Sequence, residues 1–207
     1  MHPNPTFRKT DGSIAQEFAR NRGFGTLTVN GPTAPILAHV PFLFSESDAI
    51  ELHLMRSNPI WRALADPCPA VLAVTGPDGY ISPDWYGAAD QVPTWNYIAV
   101  HLSGTLQRLE QNALRGILDR LSAEFETRIE GKPPWTSAKM SPEVLDRMMR
   151  MIAPCRFIVE DVQSTFKLGQ NKPDDVRASA AAKVVYGIGS ELSELSDLMA
   201  NPPKPKV

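Results

Sequence analysis

Hydrophobic and polar positions change period several times along this 207-residue chain. Ser13 to Asn21 (SIAQEFARN) places Ile14 and Phe18 on one face at i, i+4. Ser13 with Gln16 has the form of a capping box, so a short helix is predicted, with Gly23 as its stop. Phe24 to Val29 predicts a strand, followed by the turn signal Asn30-Gly31. Pro35 to Phe44 predicts a second strand, whose internal Pro41 indicates a sheet edge or a bulge. Ile50 to Met55 alternates, with Ile50, Leu52 and Leu54 on one face and Glu51, His53 and Met55 on the other.

The period then becomes helical. Asn58 reads as an N-cap and Pro59 as N1 of a helix running through Trp61 and Leu64 to a stop near Asp66-Pro67. Ala70 to Thr75 predicts a buried strand, Gly76 to Gly79 a turn, and Tyr80 to Ser82 a short strand. Asn96 to Leu106 is the longest strand signal, with Tyr97, Ala99, His101 and Ser103 opposed to Ile98, Val100 and Leu102. Glu110 to Glu130 carries the strongest helical stripe: Leu114, Ile117, Leu118, Leu121, Phe125 and Ile129. After a loop, Ser141 and Pro142 open a second helix with Val144, Leu145, Met148 and Ile152 as its apolar face. Arg156 to Val162 alternates as a last strand, Phe166 to Pro173 reads as a polar loop, and Asp174 to Tyr186 and Glu191 to Ala200 as terminal helices. The tail NPPKPKV is expected to be disordered. Six or seven strands with short connections predict a mainly β protein with α elements. The sheet would be antiparallel and closed or partly closed into a barrel, with peripheral helices. Residues 1–172 would form the barrel domain, with a helical insertion at 110–152, and residues 173–207 a C-terminal helical segment and tail.

Composition narrows the class. An apolar content of 43% supports a full core, and 21% charge is ordinary for a water-exposed surface. A net charge of −2 argues against a protein-wide basic footprint for nucleic acid. Cys68 and Cys155 have neither metal nor redox spacing and read as two buried thiols in a reducing compartment. No apolar run approaches the roughly 20 residues of a spanning helix, and MHPNPTFRKTDGS lacks an apolar leader region, so a cytoplasmic location and no membrane partner are expected.

Candidate chemistry gathers in three places. At His53 to Trp61 a strand ends in Arg56 and Ser57, and a helix begins at Asn58. Free N–H groups, an arginine and a hydroxyl there suit a phosphate. A capped helix beside a solvated arginine meets the same spacing. Gly79 to Gly104 holds Trp85, Trp95, Tyr80, Tyr86 and Tyr97, in a chain with four tryptophans and four tyrosines. Within it Trp95-Asn96-Tyr97 could stack on and hydrogen-bond a flat heterocycle, or form a tyrosine corner. Lys167, Gln170 and Asn171 make a polar loop. His39, His53 and His101 lie on predicted strands without the spacing of a metal site, no nucleophile elbow or G-x-G-x-x-G is present, and no catalytic residue is assigned.

The segments VPFLF (40–44), HLMRSNPIW (53–61), GYISPDWY (79–86), VPTWNYIAVHLSG (92–104) and FKLGQNK (166–172) together resemble the PaiB-type FMN-binding negative transcriptional regulators, a branch of the FMN-binding split-barrel group that includes pyridoxamine phosphate oxidases. The resemblance implies a split β-barrel homodimer with FMN at the interface. It implies that Arg56, Ser57 and Asn58 hold the phosphate. His39, Val40 and Pro41 would follow the isoalloxazine and Trp61 would cover the pocket. Trp95, Asn96 and Tyr97 would reach the flavin, from the other subunit in one arrangement. Lys167, Gln170 and Asn171 would form a polar rim or an interface contact. Met55 departs from the smaller residue of the pattern, and Gly169 stands where the family often has serine.

Two functional classes follow from the resemblance. One is a flavin-binding repressor of transcription. DNA binding enters through the resemblance alone, since residues 164–200 hold Lys167, Lys172, Arg177 and Lys183 against Asp174, Asp175, Glu191, Glu194 and Asp197. The other is an FMN-dependent oxidoreductase acting on a small cytosolic substrate. Haem binding through His53 or His101 is a third option, because some split barrels bind haem.

Overall fold

The computed structural model describes residues 1–45, 49–64 and 67–204. Asp66, and the last three residues of the tail whose disorder was expected, lie outside them. Seven strands occur among the described residues: β1 (Phe24–Val29), β2 (Ile36–Phe44), β3 (Ala49–Met55), β4 (Cys68–Ile81), β5 (Thr94–Arg108), β6 (Ile152–Lys167) and β7 (Gly189–Ser190). Six α-helices accompany them: α1 (Gly12–Arg22), α2 (Pro59–Ala63), α3 (Leu114–Glu126), α4 (Pro142–Met149), α5 (Asp174–Val184) and α6 (Leu192–Ala200). The sheet order is β1-β2-β3-β6-β5-β4-β7, and β1 also bonds to β4, so β1 to β6 form a closed ring of strands. The strands run antiparallel, as short connections predict, and the fold is the expected antiparallel split barrel with helices. The chain divides into two compact units, with one boundary between α1 and β1 and the others inside β4, β5 and β6.

One unit comprises Gly23–Ala73 and Leu102–Asp161. Its core is built from alternate strand positions, among them Leu27, Val40, Phe42, Leu52, Leu72 and Phe157. Pro41 is where β2 changes partner: Ile36 to Pro41 pair with β1, and Phe42 to Phe44 pair with β3. The missing N–H therefore interrupts no ladder, as an edge position allows. The α3 stripe buries Leu114, Ile117 and Leu121, but the α-helix ends at Glu126 and Ile129 is exposed. The apolar face expected of α4 is only partly covered: Val144 and Leu145 are half-buried, Met148 is exposed, and Ile152 opens β6. Glu51 is buried on β3, and its charge is met by Arg120 at 2.6 Å and, more loosely, by Arg156 at 3.9 Å.

The other unit comprises Met1–Arg22, Val74–His101 and Val162–Val207. Asp11, not Ser13, caps α1, because its carboxylate accepts from the Ser13 N–H at 2.8 Å and from the Ser13 hydroxyl at 2.7 Å. Ala15 and Ala19 form the buried stripe of α1, while Ile14 is exposed. Gly76 to Gly79 is not a turn but the middle of β4. A Cβ at Gly76 would meet the Phe18 ring at 2.4 Å, and one at Gly79 would meet Leu195 at 2.7 Å. These glycines admit neighbouring side chains rather than reversing the chain. Phe166 and Lys167 continue β6 instead of opening a loop, because Phe166 and Leu168 are buried. Against the expectation of two buried thiols, Cys155 is buried but Cys68 is only half-buried. No helix among the described residues is long and apolar enough to cross a membrane.

Candidate functional site

The residues singled out from the sequence fall into two groups, one in each unit. In the first unit, β3 ends at Met55 and delivers Arg56, Ser57 and Asn58 to the start of α2. Asn58 is the expected N-cap: its side-chain oxygen accepts from the Ile60 N–H at 2.8 Å, and Pro59 occupies the first turn. The Arg56 backbone is anchored by its N–H to the Met151 carbonyl at 2.9 Å. Its guanidinium donates through Nε to the Arg150 carbonyl at 3.1 Å and through Nη2 to Gln111 Oε1 at 2.5 Å. Both acceptors are neutral, and no carboxylate pairs with Arg56 among the described residues. Ser57 is exposed, with no hydrogen-bond partner for its hydroxyl among the described residues. An uncompensated guanidinium, an open hydroxyl and a capped helix start converge within three consecutive residues. That set has the charge and the donors that suit a phosphate.

Trp61, half-buried on α2, lies beside this entry, with the Arg56 guanidinium 5.7 Å from its ring centroid and that of Arg108 at 4.5 Å. The helix packs against β2, the strand that carries His39, Val40 and Pro41. Val40 faces the core, while His39 is exposed and stacks on Phe24 at 6.4 Å with the rings 19° apart. His39 Nδ1 lies 3.0 Å from the Thr26 hydroxyl. The exposed side of the β1–β2 pair is thus an aromatic and apolar surface, with Phe24 55% and Leu37 58% exposed. On β3, the His53 Nδ1 is buried without a hydrogen-bond partner among the described residues, and burial pushes the pKa of His53 down.

In the second unit, β5 starts at Thr94, and its alternation separates Trp95, Asn96 and Tyr97. Trp95 is 46% exposed and meets the edge of Tyr80 at 6.3 Å. Asn96 points into the core and donates through Nδ2 to Met199 Sδ at 3.4 Å. Trp95 and Tyr97 line an open groove of about 420 Å³, together with Thr75, Asp78 and Ala99. Lys167 sits beneath this strand entry, donating to the Trp95 carbonyl at 2.6 Å and to the Thr94 hydroxyl, and burial lowers its pKa. Gln170 folds back on its own segment, accepting from the Leu168 N–H at 2.8 Å and donating to the Phe166 carbonyl at 2.5 Å. Asn171 is exposed. Gly169 adopts φ +84°, a conformation that glycine takes without strain and serine does not. Lys167 thus braces the backbone that presents Trp95, Gln170 braces its own segment, and Asn171 is the exposed member of the three.

Several contributors have no local signature. Arg108 and Gln111 meet the Arg56–Trp61 segment from 47 and 55 residues away along the chain. Phe24 and Thr26 are set against His39 only by the β1–β2 register, which pairs Thr26 with His39. Asp78 was hidden by the turn expected at that position.

Residues 1–161 match the family model described as "Putative FMN-binding domain". Over 205 residues the chain is 29% identical to the protease synthase and sporulation protein PAI 2 of Bacillus subtilis, covering 97% of each. The fold resembles that of the FAD and heme binding protein from Mycobacterium smegmatis, with a TM-score of 0.58 at 19% identity, over 84% of this chain and 80% of that one. It also resembles the flavocytochrome Anf3 from Azotobacter vinelandii, with a TM-score of 0.56 at 14% identity, over 84% and 77% of the two chains. At these identities the structural likeness concerns the fold.

Proposed function

This chain belongs to the FMN-binding domain family and takes FMN as its cofactor, and we propose that it acts as a PaiB-type transcriptional regulator. In this reading it works in the cytoplasm as a homodimer with flavin at the interface. The regulatory role rests on the resemblance and on the relative named for protease synthesis and sporulation.

The observation that carries the flavin assignment is the state of Arg56. Its guanidinium is held by two neutral acceptors beside an open Ser57 hydroxyl and a capped helix start. These residues fit the phosphate of FMN. His39, Val40 and Pro41 would follow the ring system, and Trp61 would cover it. Trp95 and Tyr97 would supply aromatic surface, with Asn96 setting their strand, and Lys167, Gln170 and Asn171 would form a supporting rim. Bound FMN supplies electron or hydride transfer, and the chain's own residues bind and orient it.

The test begins with the absorbance of the purified protein and the identity of the chromophore released on denaturation. FMN in about one equivalent per chain is expected, and riboflavin or no flavin would defeat the phosphate assignment. Regulation requires saturable, salt-sensitive binding to promoter DNA. Its absence across salt conditions would remove direct repression. The groove beside Trp95 and Tyr97 favours one second reading, an FMN-dependent oxidoreductase with room for a small substrate. Anaerobic reduction of the bound flavin by NADH or NADPH faster than that of free FMN would select it.

A further inference from the structure

We infer that Arg108 is a positioning residue for the flavin phosphate, which holds the Arg56–Ser57–Asn58 entry in place from the far end of α2. The inference rests on the phosphate assignment above. The helix has only five residues, too few to persist without tertiary support. Its start is fixed by the Asn58 cap. Its last carbonyls have no partners within so short a helix. Arg108, the final residue of β5, supplies them: its Nη2 donates to the Trp61 carbonyl at 3.0 Å and to the Leu64 carbonyl at 3.2 Å. A cation there also complements the negative end of the helix dipole. The same guanidinium lies over the Trp61 ring at 4.5 Å.

The other end of the segment is held by the same stretch of chain. Gln111 accepts from Arg56 Nη2 at 2.5 Å, and its own amide donates to the Met149 and Ile152 carbonyls at 3.1 and 3.3 Å. Residues 108 to 111 therefore grip both ends of the run from Arg56 to Leu64. Gln111 fixes the guanidinium, and Arg108 fixes the helix that carries Ser57 and Asn58 at its start. An anion site gains affinity from such pre-organisation, because the ordering is complete before the ligand arrives. The fork matters more than the charge. Two carbonyls and an indole face are met together by a planar guanidinium, and a lysine ammonium cannot reproduce that set.

Full-length protein stripped of flavin is titrated with FMN and with riboflavin, following flavin fluorescence, for wild type, Arg56→Ala, Arg108→Gln and Arg108→Lys. Near-UV circular dichroism and the thermal midpoint of each apoprotein are recorded alongside. Both Arg108 variants are expected to cut the preference for FMN over riboflavin about tenfold, with riboflavin losing less affinity than FMN. Equal losses for both flavins would reduce Arg108 to a general stabiliser and overturn the inference. A wild-type preference in Arg108→Lys would overturn it too, because charge alone would then suffice. If Arg108→Gln fails to fold, Arg108→Lys carries the comparison. A failure of the underlying assignment looks different: wild type would show no preference for FMN, or Arg56→Ala would leave the preference intact.

Discussion

Replacing Asn58 by aspartate separates helix capping from anion binding at a single position. Asparagine and aspartate cap helices about equally, so the 2.8 Å bond to the Ile60 N–H has an equivalent in the variant. A carboxylate at the helix start also gains about 0.3–1 kcal/mol from the dipole. The apoprotein of Asn58→Asp should therefore match or slightly exceed wild-type stability in urea. Binding of FMN should move the opposite way. A like charge about one helical turn from the phosphate, at an effective dielectric near 40, costs about 1.5 kcal/mol per unit charge. A phosphate monoester carries about 1.5 to 2 charges at neutral pH, so the loss is about 2–3 kcal/mol, or about 30- to 150-fold in Kd. Riboflavin, which lacks the phosphate, should bind as before. The assay is flavin fluorescence titration at low and at moderate salt, and the FMN defect should shrink as salt screens it. Unchanged FMN affinity would refute the placement of the phosphate at this helix. A drop of more than about 1 kcal/mol in apoprotein stability would refute the capping argument.

Stability should fall with acidification through the histidine range. Burial lowers the native pKa of His53, so the unfolded chain binds the proton first, and stability is complete above about pH 6.5 and declines as pH falls toward the lowered native value. The slope is at most about 1.4 kcal/mol per pH unit for one group. His101, also lowered by burial but more exposed, adds a smaller contribution of the same sign. Urea midpoints from pH 5 to 8 should show His53→Gln flattening this decline without abolishing it, and an unchanged slope would refute the role of His53. Gly169→Ser, which restores the serine of the family pattern, should destabilise the protein by about 1–2 kcal/mol, since φ is +84° and a Cβ would also press on Arg177 at 3.3 Å. A rise in thermal midpoint in that variant would show that the loop relaxes into another conformation.

The parts of the fold that were legible from sequence depend on neighbours in sequence. The Asn58 cap, the alternation of β5 and the stripe of α3 are each set within one or two turns of chain, and the first two occur where expected while the third does so up to Glu126. The break placed at Gly76 to Gly79 shows the limit. A Gly-Pro-Asp-Gly run has the composition of a turn, and nothing local distinguishes it from a strand whose glycines admit side chains from elsewhere. The deciding atoms are the Phe18 ring at Gly76 and Leu195 at Gly79, far away in the chain. The extension of β6 through Lys167 has the same origin. Phe166 to Pro173 reads as a polar loop until the burial of Phe166 and Leu168 fixes the strand.

Residue type alone also fails to separate a cation that binds from a cation that braces. Arg56 and Lys167 both belong to motifs that resemble the same family, and neither has a carboxylate partner among the described residues. Their surroundings divide them. Arg56 is exposed beside an open hydroxyl and a helix start, and its charge is held in place by neutral groups. Lys167 is half-buried, its ammonium is taken by the Trp95 carbonyl and the Thr94 hydroxyl, and desolvation lowers its pKa. A charge that is solvated and uncompensated can be neutralised by an arriving phosphate at little desolvation cost. The Lys167 ammonium has two of its three donors committed and is half-buried, whereas the exposed Arg56 guanidinium has two of its five donors committed and keeps three for a ligand. That difference supports the proposal that Arg56 meets the ligand phosphate, while Lys167 holds the backbone at Trp95.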